Sequence, residues 1–376
     1  MAIETPFKDY YDFEHFRRVV MRETAGGPVP IVELFADPEI MCEATGLDFP
    51  ADALMKVLDI GLEPTMEQLE LGVRLMDISL AFSVAVGYDY VSTIPIVPVP
   101  RTDYLIKENP RQDGKLRAWQ DEHRGLIMDR ADFESFPWPG AEAVNLISVD
   151  YVAGKAPGGM KVMAFINGVF EDLKRLMGVE NMAIKSIEEP ELCGDILEKL
   201  TVLAAEATEK SAAHPAVGAI FYGEDLGFNT SLMLSPAWMR EWLVPRLKRI
   251  ADACHRHGKP FLFHSCGQID ALMEDLIEVV GIDARHSFQD NIEPVEEVYR
   301  KYGDRISIMG GVDVDLLARG TKAAVAERTR QILEACAPGG GYLMGSGNSV
   351  TNFVKIENYY TMLDETRRWN EEHSQG

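Results

Sequence analysis

Eight short apolar segments, most of them separated by helical patterns, constrain the fold of this chain more than any other feature. They lie at residues 29–34, 90–95, 161–166, 217–222, 260–264, 282–287, 305–309 and 341–344. Strands that alternate with helices form parallel βαβ units, and eight of them predict an α/β fold of the (β/α)8 or TIM-barrel type. A doubly wound open sheet is the alternative, although no Gly-x-Gly-x-x-Gly motif follows the first segment.

The segments and their connections carry local signals for this architecture. Residues 217–222 form a continuous apolar run, which is typical of a parallel strand buried on both faces. Apolar residues recur at helical spacing between residues 235 and 257. Ser235 provides an N-cap before Pro236 at the first helical position, and Gly258 ends the helix.

The 376 residues are predicted to form a single barrel domain, because 46% hydrophobic residues suffice for a large core. Residues 1–150 form an N-terminal region that is largely helical, includes a hairpin over residues 101–126 and contributes the first barrel strands. Residues 151–376 form the main part of the barrel and carry the site. We expect the N-terminal region to cover the barrel mouth as a cap or to form a homodimer contact.

Charge and composition argue against several classes of partner. The formal charge of −23 would repel the phosphates of nucleic acid, and no Lys/Arg run offers a local exception. No apolar run reaches membrane-spanning length, and the first residues lack the apolar core of a signal peptide. The five cysteines are scattered, which is typical of a reducing compartment rather than of a disulfide framework. We therefore expect a cytoplasmic protein with no nucleic-acid or membrane partner.

Polar residues follow the predicted strands at the ends where a barrel carries its active site. They are Glu224 and Asp225 after the fourth segment, His264 and Cys266 at the fifth, His286 at the sixth and Asn348 after the eighth. Residues at the carboxyl ends of barrel strands converge on one mouth, however far apart they lie in sequence. Each alone fits a loop cap or a solvated charge, but their common placement favours a site.

The pair His264 and Cys266 carries the clearest chemical signal. In an extended chain, residues i and i+2 point to the same face, so both side chains project together where the strand ends. An imidazole nitrogen beside a thiolate suits Zn²⁺. The alternative is a buried polar histidine and an inert cysteine, because two ligands do not make a metal site.

Two long stretches resemble the uroporphyrinogen decarboxylase superfamily. They are GEDLGFNTSLMLSPAWMREWLVPRLKRIADACHRHGKPFLFHSCGQIDALMEDLIEVVGIDA, and RISIMGGVDVDLLARGT followed by GGGYLMGSGNSV. The resemblance implies a (β/α)8 barrel, in agreement with the strand pattern. It also implies one of two activities, because this superfamily contains true decarboxylases and cobalamin-dependent methyltransferases that work with a corrinoid protein.

Two motifs favour the methyltransferase branch. The decarboxylases carry an N-terminal Arg-Gln-Ala-Gly-Arg motif whose arginines hold the carboxylates of the tetrapyrrole, whereas residues 21–28 here read MRETAGGP, with one arginine. A substrate with many carboxylates would also be repelled by a chain this acidic. His264 and Cys266, in contrast, resemble the His-x-Cys zinc motif of the methyltransferases. The resemblance therefore implies zinc at this pair.

The chain departs from the coenzyme M methyltransferases at the third zinc ligand. Those enzymes place a cysteine in the loop after the last strand, and residues 345–350 here read GSGNSV. We expect Glu224 to take that position, because Asp225 points the other way if the strand continues. A site with nitrogen, sulfur and oxygen ligands suits the polarisation of an oxygen better than the activation of a thiol. This favours a small methylated donor that is a methyl ether, such as a methoxylated aromatic, or an N-methyl compound.

In the predicted mechanism, a partner protein supplies the cobalt. The cobalamin-binding signature Asp-x-His-x-x-Gly is absent, so a separate corrinoid protein would supply the Co(I) that accepts the methyl group. The candidate catalytic residues are His286 and Asp225, and the candidate substrate-binding residues are Tyr222, Phe228, Phe165 and Asn348. Two alternatives stay open: a decarboxylase-like barrel enzyme that acts without metal, and a non-catalytic barrel that serves as a binding module.

Overall fold

The computed structural model describes residues 10–24, 26–50, 53–58, 65–100, 104–108, 116–120 and 125–373. Its strands are β1 Tyr90–Thr93, β2 Tyr104–Glu108, β3 Leu116–Gln120, β4 Lys161–Asn167, β5 Val217–Asp225, β6 Phe261–Cys266, β7 Ala284–His286, β8 Ser307–Met309 and β9 Tyr342–Leu343. Within these ranges, seven strands form one parallel sheet in the order β1-β4-β5-β6-β7-β8-β9. A doubly wound sheet reverses its strand order part-way, so this sequential order confirms the predicted α/β barrel fold.

Helices connect the strands and pack against the sheet. They are α1 Phe13–Val20, α2 Pro38–Thr45, α3 Ala53–Leu58, α4 Met66–Val86, α5 Arg130–Ser135, α6 Ile147–Ala153, α7 Val169–Met177, α8 Val179–Glu188, α9 Pro190–Ala213, α10 Pro236–Trp238, α11 Val244–His255, α12 Met273–Asp275, α13 Val295–Tyr302, α14 Val314–Arg319, α15 Lys322–Cys336 and α16 Ile356–His373. The long helix α9 packs on α11 and on strands β4 and β5. Most of its buried residues are apolar, as the amphipathic pattern of a barrel helix requires.

Two central strands are longer than the sequence pattern predicts, and the extra residues belong to the site. β5 continues to Asp225 and is buried from Val217 to Glu224. β6 continues to Cys266. Side chains alternate strictly along a strand, and this now applies to the polar residues at the carboxyl ends of β5 and β6. The pairing register decides which of these residues share a face.

The first predicted strand, residues 29–34, is not a regular strand. Instead, Val32 N donates to Met344 O (2.8 Å) and Met344 N donates to Pro30 O (2.9 Å), which gives a single parallel bridge beside β9. Pro28 and Pro30 have no N–H group, so this stretch cannot form a full ladder. On its other side, the Tyr90 hydroxyl of β1 donates to Glu33 O (3.0 Å). The segment therefore joins β9 to β1 through isolated contacts.

The helix predicted after Ser235 is present but contains an irregular turn. The Ser235 hydroxyl accepts a hydrogen bond from Trp238 N at 3.2 Å, as an N-cap does. Between α10 and α11, residues Met239–Leu243 form a π-helical turn. Pro245 is the second residue after this turn, and its missing N–H interrupts the regular bonding pattern there.

The predicted hairpin is also present, since β2 and β3 pair antiparallel with Tyr104 opposite Gln120. Residues 109–115, which connect the two strands, lie outside the described residues. Among the described helices, none combines the length and the apolar character needed to cross a bilayer.

Candidate active site

The carboxyl ends of β5, β6 and β7 bring four predicted site residues to one face of the sheet. Parallel pairing places Gly223 beside His264 and Asp225 beside Cys266. It also places His264 beside His286. Because side chains alternate along a strand, His264, Cys266, His286 and Asp225 project to the same side.

Two hydrogen bonds fix which nitrogen of each histidine carries the proton. His286 Nε2 lies 3.3 Å from the Ser346 carbonyl oxygen, which only accepts, so this nitrogen carries the hydrogen. His286 Nδ1 is then an acceptor and lies 2.7 Å from His264 Nδ1, which therefore donates. The lone pair of His264 is left on Nε2, 3.4 Å from Cys266 Sγ. Burial favours these neutral forms, because it lowers the pKa of His264 well below its usual value and that of His286 to about 4.

The Cys266 thiol receives a hydrogen bond from the loop after β9. Asn348 Nδ2 lies 3.2 Å from Cys266 Sγ. Burial raises the pKa of Cys266 to about 11, and the nearby Asp225 carboxylate adds to the rise. A thiol with so high a pKa stays protonated at neutral pH, so a cation is needed to make it a thiolate.

The donor atoms of His264 and Cys266 fit two positions of a zinc site. A tetrahedral ion with Zn–N of about 2.0–2.1 Å and Zn–S of about 2.3 Å separates the two donors by about 3.5 Å. The observed separation between Nε2 and Sγ is 3.4 Å. Within the described part of the chain, no group of three His, Cys, Asp or Glu side chains is arranged around a common metal position.

Glu224 lies on the opposite side of β5 from the pair. It pairs in register with Ser265, so it shares a face with neither His264 nor Cys266. Its carboxylate accepts hydrogen bonds from Phe170 N (3.1 Å) and Glu171 N (3.0 Å) at the start of α7. Burial raises the pKa of this carboxyl to about 8, and the two N–H donors oppose that rise. The expectation that Glu224 faces the pair is therefore corrected: its carboxyl caps α7.

Asp225 projects to the side of the sheet that was expected for Glu224. It stands beside Cys266 in the pairing register and on the same face. The buried Lys174 amine donates to Asp225 Oδ2 at 2.7 Å and to the Asp225 carbonyl oxygen at 3.2 Å. Lys174 also pairs with Glu171 at 2.6 Å, so α7 holds the end of β5 from outside the sheet.

Phe165 lies on the same side of the sheet as the histidines. It pairs with Phe221 in β5, and a Cβ on Gly223 would come within 2.4 Å of its ring. Gly223, the residue beside His264, has no side chain, and this leaves room for the Phe165 ring. Phe165 also borders a crevice with about 500 Å³ of space, including its open mouth, at the carboxyl ends of β1 and β4. Its walls include Ile94, Val97, Val99, Asn167 and Leu176.

The other predicted substrate-binding residues lie in different surroundings. Tyr222 is fully buried on the outer side of β5, where its hydroxyl donates to Glu224 Oε1 at 3.1 Å. The structure therefore corrects its expected place in a pocket. Phe228 is half exposed in the loop after β5, and its carbonyl oxygen accepts from Gln268 N at 2.8 Å. Asn348 contacts Cys266, as described above.

Two residues of the site, Ser346 and Glu33, were not predicted from the sequence. The Ser346 carbonyl orients His286, and the Ser346 N–H donates to the buried Glu33 carboxyl at 2.7 Å. Ser346 belongs to the Gly-Ser-Gly-Asn loop that the sequence pointed out, but a backbone carbonyl leaves no signal in residue types. Glu33 lies in a segment that reads as an apolar strand. Its position inside the molecule depends on contacts far away in sequence.

Comparison with known proteins identifies the family. Residues 126–369, more than half of the chain, match the family model described as Uroporphyrinogen decarboxylase (URO-D). The chain belongs to the uroporphyrinogen decarboxylase family. A methylated-thiol–coenzyme M methyltransferase of Methanosarcina mazei is 27% identical over 232 residues, 60% of this chain and 59% of that protein. A uroporphyrinogen decarboxylase of an Anaeromyxobacter species is 28% identical over 179 residues, 47% of this chain and 48% of that protein.

The family members in these comparisons differ in how much of the chain they match. The chain spans roughly half of the length of these two curated relatives, at 59% and 48%. A solved structure, a methyltransferase from Methanosarcina mazei, superposes with a TM-score of 0.68 at 14% identity. The superposition covers 96% of this chain and 99% of the solved chain. This uroporphyrinogen decarboxylase family member therefore shares the fold of the solved structure along almost its entire length.

Proposed function

We propose that this chain transfers a methyl group from a small methylated donor to the Co(I) of a separate corrinoid protein. The observation that carries the proposal is the lone pair of His264 Nε2 set 3.4 Å from Cys266 Sγ at the carboxyl end of the barrel. Barrel active sites lie at this end. The relationship to a protein named as a methyltransferase supports the same reaction class.

Zinc is the ion that this pair of donors suits. When bound, zinc would act as a Lewis acid on the heteroatom that carries the methyl group. His264 and Cys266 would hold it, and Asp225 is the candidate for an oxygen ligand because it shares their face. His286 keeps the His264 proton on Nδ1, and Asn348 fixes the sulfur with its amide N–H.

The residues around the pair favour a methyl ether or an N-methyl compound as the donor. The loop after β9 presents the Asn348 amide to Cys266 where a third cysteine would stand in the enzymes that activate a thiol. An oxygen ligand makes the metal harder, which suits a substrate oxygen or nitrogen. The Phe165 ring and the apolar residues of the crevice beside it, which Asp172 and Arg175 also line, offer a wall for the carbon part of the donor, such as a methoxylated aromatic ring.

The decarboxylase alternative is disfavoured by the position of Arg22. This is the one arginine in the stretch where the decarboxylases carry their substrate-binding motif. Its guanidinium donates to Gly340 O (3.2 Å) and Gly339 O (3.4 Å), which precede β9. Arg22 thus lies at the amino end of the barrel, away from the mouth where a substrate binds.

The test combines metal analysis with cobalt spectroscopy. The pure chain, prepared under reducing conditions without chelator, is expected to contain stoichiometric zinc, and His264→Ala and Cys266→Ala are expected to lose it. Cys254→Ala is the control, because its thiol contacts Lys259 O at the amino end of β6. Mixed with a Co(I) corrinoid protein and a panel of methoxylated and N-methylated donors, the chain should form methyl-Co(III). An unchanged cobalt spectrum across the panel would contradict the proposal and favour a binding module.

A further inference from the structure

The loop after β9 contacts both sides of the His264–Cys266 pair. The Ser346 carbonyl oxygen in this loop lies 3.3 Å from His286 Nε2, and His286 Nδ1 lies 2.7 Å from His264 Nδ1. The Asn348 amide of the same loop lies 3.2 Å from Cys266 Sγ. The imidazole and the thiol are thus both oriented from one loop, so a displacement of this loop would disturb both donor atoms.

A single buried carboxyl group, that of Glu33, binds this loop from the first barrel segment. Its side chain belongs to the interior, with 1% of the residue exposed. Oε1 accepts a hydrogen bond from Ser346 N at 2.7 Å, and Oε2 lies 2.5 Å from Ser346 Oγ. The Ser346 hydroxyl in turn donates to Asn348 O at 3.0 Å. One carboxyl therefore fixes Ser346 directly and Asn348 through the serine hydroxyl.

Backbone contacts with the residues after β8 hold the loop in the sheet. Val312 N donates to Gly345 O at 3.1 Å, and Gly347 N donates to Val312 O at 2.7 Å. These bonds fix the path of the chain on either side of Ser346, whereas the Ser346 N–H and hydroxyl point to Glu33. Loss of the carboxyl is therefore expected to shift the groups around Ser346 without detaching the loop.

The carboxyl of Glu33 is buried at a cost that an apolar side chain would avoid. Burial raises its pKa to about 8, so at neutral pH the group must take up a proton when the chain folds. The loop also runs close beside it, since a Cβ at Gly345 would come within 1.9 Å of Val32 O and 3.3 Å of Glu33 Oε1. A polar group that is kept at such a cost is expected to serve the site that it supports.

We propose that Glu33 is a positioning residue of the active site, which acts through Ser346 to hold His264 and Cys266 in the arrangement that binds metal. The proposal rests on the proposed function and adds to it a residue outside β5, β6 and β7 on which metal affinity depends. Glu33 bonds neither donor atom directly, so its effect is the one that partners of metal-binding residues exert by orienting them.

Three variants separate the hydrogen bonds of the carboxyl from its burial. Glu33→Gln keeps the bonds, because its amide oxygen accepts from Ser346 N and its amide N–H donates to Ser346 Oγ, as the protonated carboxyl does. Glu33→Leu removes them. Tyr90→Phe is the matched control, because the Tyr90 hydroxyl bonds the backbone of the same residue, at Glu33 N (2.7 Å) and Glu33 O (3.0 Å).

The first readout is the zinc dissociation constant at neutral pH, measured against a chelator of known affinity. Glu33→Leu is expected to weaken zinc binding by about 10–100-fold, which is the usual effect of losing a group that orients a metal ligand. Glu33→Gln and Tyr90→Phe are expected to stay within about threefold of wild type, although Tyr90→Phe should unfold at a lower urea concentration. Ser346→Ala removes the hydroxyl that joins Glu33 to Asn348 and is expected to weaken zinc binding by about threefold or more.

The second readout needs no metal. NMR spectra of metal-free protein labelled at the histidine nitrogens report which nitrogen of His286 carries the proton. Wild type, Glu33→Gln and Tyr90→Phe are expected to carry it on Nε2, where the Ser346 carbonyl accepts it. Glu33→Leu is expected to show a mixture of the two neutral forms, because the shifted carbonyl no longer favours one of them.

The outcomes distinguish a positioning role from a structural one. Unchanged zinc affinity in both Glu33→Leu and Ser346→Ala would overturn the proposal. So would an equal loss of zinc affinity in Tyr90→Phe, because the effect would then follow from the stability of the first segment. A wild type that binds no zinc, together with an altered proton position on His286 in Glu33→Leu, would instead contradict the proposed function and leave the positioning role of Glu33 standing.

Discussion

The two ring nitrogens of His264 have different neighbours, and this difference decides which nitrogen carries the proton. Nδ1 faces His286, and Nε2 faces Cys266. The Ser346 carbonyl fixes the position of the ring proton of His286, and His286 in turn fixes that of His264. His286 acts on the proposed metal site through its hydrogen bond to His264, so it is a positioning residue. Its effect should appear in the affinity for the metal.

We predict that His286→Phe weakens zinc binding by about 10–100-fold, which is the usual effect of losing the partner of a metal-bound histidine. The variant removes the acceptor of the His264 Nδ1–H while both donor atoms stay in place. Competition with a chromogenic chelator gives the zinc dissociation constant. Urea unfolding of the metal-free proteins serves as the control for damage to the fold. An unchanged zinc affinity would show that the His264–His286 bond has no part in metal binding.

Asp225 and Glu224 are neighbours with opposite orientations, so they make a matched pair of variants. Asp225→Asn is expected to lower zinc content and activity, because Asp225 is on the face of Cys266. Glu224→Gln is expected to keep zinc but to unfold more easily, because its carboxyl accepts the N–H groups that begin α7. Metal analysis and urea unfolding of both variants measure the two effects. Zinc loss in Glu224→Gln at unchanged stability would reverse the assignment.

At the scale of elements, a buried carboxyl ties the first barrel segment to the last loop. Glu33 Oε1 accepts from Ser346 N, and Glu33 Oε2 lies 2.5 Å from Ser346 Oγ, which donates to Asn348 O. Burial raises the pKa of Glu33 to about 8, although the Ser346 donors oppose the rise. A protonated Glu33 can donate to Ser346 Oγ, which is consistent with the serine hydrogen being used on Asn348.

The raised pKa of Glu33 predicts a fall in stability between pH 6.5 and pH 8. In this range an unfolded glutamic acid is ionised, whereas the folded one keeps its proton, so the folded state binds more protons and loses stability as pH rises. Glu33 contributes a slope of about 1 kcal/mol per pH unit, within the limit of 1.36 for one group. In urea unfolding at several pH values, Glu33→Gln should remove this contribution, whereas the contribution of Glu224, whose pKa is also raised to about 8, should remain. A variant with the wild-type pH dependence would place the Glu33 pKa in its ordinary range.

The elements that sequence predicts well are those whose signal is local. The β5 segment is an apolar run, and Ser235-Pro236 is a capped helix start, so both can be recognised without knowledge of the fold. The prolines at positions 28 and 30 also carry a local signal, which argues against a full strand there, although apolar patterning alone favours one.

The details of the site depend on pairing, which no local pattern contains. Glu224 and Asp225 exchange sides if β5 shifts by one residue, because side chains alternate with a period of two. The contact from His264 through His286 to Ser346 joins three elements, and one member is a backbone carbonyl. Such features follow from the register of the sheet and become visible only in the structure.

At the scale of the whole molecule, the barrel closes through its least regular part. The segment after Pro28 bridges to β9 at Met344 and reaches β1 through the Tyr90 hydroxyl. A closed sheet has no exposed edge, and here closure uses a few hydrogen bonds in place of a ladder. The last helix supplies the remaining support, because α16 packs on α15 and α2 and ends beside Val29.

We predict that Asn370→Ala loosens this closure and lowers the free energy of unfolding by about 1–3 kcal/mol, the usual effect of leaving buried backbone groups without partners. Asn370 Oδ1 accepts from Val29 N at 2.7 Å, and its Nδ2 donates to Val29 O at 3.0 Å, so one side chain satisfies both backbone groups of the residue that opens the closing segment. Asn181→Ala is the control, because its amide makes one exposed bond of 3.3 Å to Met128 O, and a change within about 0.5 kcal/mol is expected. Urea unfolding at pH 7 compares the two variants. Equal midpoints would mean that the first segment is held in the barrel by β9 and Tyr90 without help from α16.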